Sequence, residues 1–336
     1  MMAFAKPAIT PEQQLTLLEE RGLIVVDRSR ALAFLRSVSF FRLTPYMRPF
    51  QVNAEHNFIE GTGFRQLTEI YDFDRRLRLL VMDAIERTEV AIRGHISNHM
   101  GTSYGSHWYL DARYFKNQPQ YERLLNEIRH KQESELRDYH RECSRIEKLN
   151  TDEARKANLK RKRQQESYAR HYALTYDAPE LMPNWAMVEE ITLGTLSHLY
   201  KNLSKDSDKK HIARGLGLEA PLLESWLHTL TMVRNICAHH SRLWNRELGI
   251  KPAAPKSARI PWPNYLRQGN TALHTRAAVT LPILQHFMMH CAPHASWKQR
   301  LTELFQEFPN TPLTPMGLPE DWQHDPFWQD NQRDGL

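Results

Sequence analysis

The feature that most limits how this chain can fold is an apolar period of three and four residues that begins at Phe64. Phe64, Leu67, Ile70, Tyr71, Leu77, Leu80, Val81, Ala84, Ile85, Thr88 and Ile92 recur at those steps, a stripe that an α-helix gathers on one side. Asp74 is its polar interruption. The next face carries Asp83, Glu86, Glu89 and Arg93, with Glu89 and Arg93 in the favourable i,i+4 order. The spacing predicts one long amphipathic helix. Glycine totals 13 and alternating runs are scarce, so the expected fold class is all-α, mainly helical.

Further helices are legible from their starts. Thr10-Pro11-Glu12-Gln13 offers a cap, a first-turn proline and a capping-box glutamine. Asp27 can cap a second helix, and Phe40 to Tyr46 is an aromatic-rich segment that Pro45 breaks. Apolar stripes follow Pro183-Asn184-Trp185 and Pro221, and a last one runs from about Thr280 to Cys291 after a proline-rich stretch. Trp322 and Trp328 are expected to dock the C-terminal tail on the body, and Trp185 and Trp244 to be packing anchors. This divides the chain into an N-terminal helical segment (1–60), a helical domain (61–300) and a tail (301–336).

The formal net charge is +6, and it is unevenly placed. Residues 116–170 hold 15 Lys and Arg against 10 Asp and Glu. Within them, from about 121 to 166, apolar residues thin out, which predicts a protruding, charged helical hairpin with its turn at Asn150-Thr151-Asp152. Its second arm contains Arg155, Lys156, Lys160, Arg161, Lys162 and Arg163 with no acid and no aromatic between them. Such a run suits phosphate contact rather than base stacking, or else a solvated face. Three scattered cysteines exclude a disulfide framework and fit a reducing cytoplasm. No stretch reaches the roughly 18 apolar residues of a membrane span.

The densest group of candidate catalytic side chains is RNICAHHSRLWNR, from Arg234 to Arg246. Asn235 and His239 stand four apart and share a helix face. Arg242 and Arg246 extend that stripe if the helix continues, and Arg234 is long enough to reach the same spot. An imidazole titrating near neutrality can move the proton of a 2′-hydroxyl. Arginine holds phosphate and stabilises charge developing on it. Spacing by itself is weak evidence: with 31 Arg and 17 His in 336 residues, between one and two Arg-to-His pairs at any one separation arise by chance. A helix C-terminus also attracts cations through its dipole. A metal-dependent hydrolase fits less well, since no His-Glu-x-x-His and no carboxylate cluster occur.

RNICAHHSRLWNR resembles the signature of the abortive-infection (AbiD/AbiF-like) family of the HEPN superfamily, whose nuclease motif is Arg, four to six residues, then His. KPAITPEQQLTLLEERGL, FFRLTPYMRPF, IYDFDRRLRLLVMDAIERTEVAIR, PNWAMVEEITLGTLSHLY and MGLPEDW resemble that family in the same order, whereas 121–166 does not. The resemblance implies a HEPN-type helical bundle with Arg234 and His239 catalytic and Asn235 a motif partner. His240, Arg242, Arg246, Glu89 and Arg93 would be supporting residues, and Glu89, Arg93 and Glu189 also read as ion pairs between helices. It further implies a metal-independent endoribonuclease without cofactor that acts in phage defence or as the toxin of a toxin–antitoxin pair. The expected partners are an RNA substrate, a second copy of the chain, and a small non-coding RNA or protein antitoxin. The alternative is a non-catalytic protein that binds structured RNA.

Overall fold

The predicted long helix is the mast of the molecule. In the computed structural model, which describes residues 7–267 and 273–329, it runs from Phe64 to Tyr104 without a break, about 62 Å at 1.5 Å per residue. Before it come α1 (Pro11–Glu20), α2 (Arg28–Val38) and α3 (Phe40–Met47), and the mast itself is α4. After it follow α5 (Gln118–Glu147), α6 (Glu153–Gln165), α7 (Tyr168–Thr175), α8 (Asn184–Glu190), α9 (Leu193–Asn202), α10 (Asp206–Gly215) and α11 (Ala220–Ala238). The chain closes with α12 (Asn264–Arg267), α13 (Thr280–Cys291) and α14 (Trp297–Glu307). Among the described residues there is no strand, only isolated bridges, so the fold is all-α.

Local chemistry starts the helices where the sequence indicates. Gln13 donates its backbone N–H to Thr10 Oγ1 at 3.3 Å while Thr10 N–H reaches Gln13 Oε1 at 2.8 Å, and Arg30 N–H reaches Asp27 Oδ1 at 2.9 Å. The stripe of α4 is buried along its length, from Phe64 to Met100, because α13, α11, α8, α14 and α10 all lean on it. A second, smaller core forms between α1, α2, α3 and the start of α4, around Leu15, Leu18, Leu35, Leu43 and Leu67. Trp322 and Trp328 are buried against the main core, while the last residues of the expected tail, 330–336, lie outside the described ones.

Three expectations are corrected. Pro45 does not break its segment: α3 runs through it, and the carbonyl left without an N–H belongs to Phe41, an exposed residue that water can serve. Trp185 is exposed, because α8 turns Ala186, Met187 and Val188 inward instead. The span 121–166 is only partly a charged protrusion: Tyr121, Leu124 and Ile128 are buried core residues, and only the rest of α5 and α6 carry the exposed charge. Across the expected start of the tail at residue 301 runs α14, which buries Trp297, Leu301, Leu304 and Phe305.

Candidate active site

Leu223, Trp226, Leu227, Leu230, Val233 and Cys237 form the buried side of α11. The other side is left open. His228, Thr231, Met232, Asn235 and His239, spaced three, one, three and four apart, line a groove of about 420 Å³ with Ile236 and Ser241. Asn235 and His239 are exposed. Arg234 stands beside this groove, and its Nη1 donates to Asn235 Oδ1 at 3.3 Å. The amide and imidazole singled out in the sequence therefore share one face, and the guanidinium is bonded to the amide.

The helix stops immediately after them. Ser241 N–H donates to Ile236 O at 2.9 Å and His240 N–H to Cys237 O at 3.0 Å, the paired bonds of a Schellman closure. His240 takes the left-handed conformation this requires, with φ 55°, although glycine is the usual occupant. The stripe consequently does not continue to Arg242 and Arg246, and that expectation is overturned. The Arg242 guanidinium turns in toward α3 and donates to Pro45 O at 2.5 Å. Burial lowers its pKa, and the nearby charges of Arg246 and Arg276 act in the same direction. Arg246 is exposed beyond the turn.

The loop after the turn is fastened to the mast by a residue that the motif does not contain. Asp74, fully buried, accepts Leu243 N–H at 3.1 Å and Trp244 N–H at 2.7 Å. The same carboxylate takes the Tyr46 hydroxyl and the Arg78 guanidinium. Burial pushes this carboxyl above its ordinary range, against the opposing pull of Arg78, Tyr46 and the two amides. Arg42 on α3 donates to His240 O at 2.6 Å, so α3 and the loop exchange arginines. The one visible signal for this arrangement was the polar break at Asp74 with Arg78 four residues on. Trp244 is fully buried, as expected. Burial pushes the Cys237 thiol up to about 12, so it stays protonated and is not a nucleophile.

The other candidates are not among the residues that line this groove. Arg93 pairs with Glu89 and donates to Ile191 O at 2.9 Å, tying α4 to the junction of α8 and α9. Glu189 is exposed. On α6, Lys156 lies 2.8 Å from Glu153, and Arg163 lies 3.1 Å from Glu142 and 2.8 Å from Glu166. Lys160 pairs with Glu147. Arg161 donates to Asn158 at 3.4 Å, and Arg155 is exposed like Lys162. A run without acids in sequence is thus half neutralised in space, because the hairpin lays α5 carboxylates across it. Among the described residues no three His, Cys, Asp or Glu side chains gather as a metal site would require.

Together these features define an all-α protein whose longest helix anchors, through Asp74, the loop behind an Arg-Asn-x-x-x-His helix end. The sequence profile of the Abi-like protein family matches residues 33–245, and the chain belongs to that family. The match runs from α2 to the loop after α11 and includes Arg42, Asp74 and the motif. No curated protein and no solved structure matches the chain. Membership connects the protein with abortive infection, a form of phage defence. Among the described residues no helix is long and apolar enough to cross a membrane.

Proposed function

We propose that this protein is a metal-independent endoribonuclease of HEPN type, acting in phage defence either directly or as a toxin restrained by a small RNA or protein. One observation carries the reading: Asn235 and His239 line one open groove and the Arg234 guanidinium is bonded to Asn235, on a helix end held by its own closure and by Arg42. In this reading an RNA 2′-oxygen attacks the adjacent phosphorus while an imidazole takes its proton. The bond to the 5′-oxygen breaks, and that oxygen leaves with a proton from a second imidazole. Arg234 stabilises charge on the phosphorane, and Asn235 holds the guanidinium in place. Each chain brings one motif histidine to its groove, His228 standing eleven residues earlier on α11, so two chains meeting at the C-terminal ends of α11 supply base and acid together.

The test is cleavage of single-stranded RNA by the purified protein. Arg234→Ala and His239→Ala should each reduce it at least a hundredfold, the usual scale for a lost general acid–base or charge-stabilising group, with unchanged circular dichroism. Cleavage should continue in EDTA and leave 2′,3′-cyclic phosphate ends. Dependence on Mg²⁺, or full activity in His239→Ala, would overturn the mechanism. Binding of RNA without any cleavage would favour a non-catalytic RNA-binding protein.

A further inference from the structure

The groove at His239 does not end at the catalytic face. At His228 it meets a second groove of about 410 Å³ between α9, α10 and the start of α11. Its walls include His198, Lys201, Lys209, Lys210, Ser225 and His228. His198 in turn lines a third depression that contains Arg123. From His239 back to Pro221 the helix covers about 27 Å at 1.5 Å per residue.

The charge in the second groove is open to a ligand. Its two carboxylates are engaged: Glu224 by Lys209 at 2.7 Å, with Lys201 farther off at 3.6 Å, and Asp206 by Lys116 at 3.2 Å. The Lys201 side chain is 61% exposed, and Lys210 is exposed too. Apart from Ala220 and Pro221 the lining residues carry polar or charged side chains, three of them lysines, a residue type that the centres of protein interfaces lack. No Phe, Tyr or Trp is among the residues that line the groove, so its lysines can grip a phosphate backbone while the imidazoles of His198 and His228 are the rings it offers to a base.

We propose that the groove of Lys201 and Lys210 is the backbone-binding track for single-stranded RNA whose scissile phosphate lies at His239. The track rests on the nuclease reading for its ligand, and it assigns RNA grip to α9 and α10 rather than to the basic run of α6. The lysines there meet phosphates, so they hold RNAs of unrelated sequence alike.

The experiment measures binding of two unrelated fluorescent single-stranded RNAs across a salt series, in the non-cleaving His239→Ala background. Lys201→Gln with Lys210→Gln should weaken both RNAs and lower the slope of log K against log[salt] by about 0.7 for each phosphate no longer neutralised. Lys201→Arg with Lys210→Arg should restore both. Arg161→Gln with Lys162→Gln on α6 should have the smaller effect. The track is overturned if the glutamine pair leaves affinity and slope unchanged, if the α6 pair alone alters them, or if the pair shifts the monomer–dimer equilibrium instead of RNA affinity. The two readings fail separately. If the unmutated protein does not cleave but the lysine pair governs binding, the nuclease falls and the track stands. If cleavage proceeds and the lysines have no effect on binding, the reverse holds.

Discussion

His240 occupies a position where helices commonly close on glycine, and its left-handed backbone costs about 1 kcal/mol. Nothing but the turn requires that conformation. His240→Gly should therefore raise stability by about 1 kcal/mol, seen as a higher urea midpoint, with RNA cleavage retained. A lower midpoint would mean the imidazole itself supports the fold. Asp74 is the opposite case. It receives two backbone amides, a phenol and a guanidinium in a site without water access. Asp74→Ala would strand buried Arg78 and should destabilise by about 3–5 kcal/mol, the range for breaking a buried pair. A change of less than about 1 kcal/mol in urea unfolding, the scale of an exposed pair, would show that the loop after the motif is held by other means.

At the scale of elements, α11 and the α5–α6 hairpin divide the polar groups differently. One face of α11 is packed and the other faces solvent, so an apolar stripe on one side guarantees a polar row on the other. Its C-terminal turn then decides which groups of that row can act together. The hairpin is a different matter: three of its basic residues already face carboxylates. Exposed pairs of this kind contribute little, so Lys160→Gln should leave the urea midpoint where it was. The same change should also leave the salt dependence of RNA binding where it was, because this lysine is already matched by Glu147. A flattened salt slope in Lys160→Gln would show that the pair opens to meet RNA.

At the scale of the whole molecule two outcomes are expected. If paired helix ends supply base and acid, light scattering at micromolar concentration should give about twice the 39.6 kDa chain mass, and an active strict monomer would refute that pairing. The second outcome concerns pH. His286, buried on α13 with Nε2 3.1 Å from Leu216 O and its ring stacked on His290, has its pKa lowered by burial to about 4. Its ordinary value is 6.5, so between these values the unfolded chain binds the proton first. Stability should be fully present above pH 6.5 and fall by about 1.4 kcal/mol per unit toward pH 4, about 3 kcal/mol in all from this group. Urea unfolding at pH 7.5 and 5 should show about 2 kcal/mol of that loss, and His286→Gln should reduce it. An equal loss in the variant would place the acid sensitivity elsewhere.

Periodicity determined the all-α class, the mast from Phe64, the apolar helix at Thr280–Cys291 and the shared face of Asn235 and His239, since these depend only on neighbours within one helix. The capping residues Thr10 and Asp27 were legible for the same reason. Tertiary structure decided the rest. Whether α11 continued to Arg246 depended on a closure that a histidine, not a glycine, makes, and no local residue announced it. Tyr121, Leu124 and Ile128 lay hidden among charges, because what buries them is α7 and α9 from far along the chain. Glu142 and Glu147 reached α6 from the other arm of its hairpin, and Asp74 became an anchor only when Leu243 and Trp244 arrived from 169 and 170 residues away. A helix period is a property of consecutive residues, whereas a partner brought across the fold leaves no mark in the residues beside it.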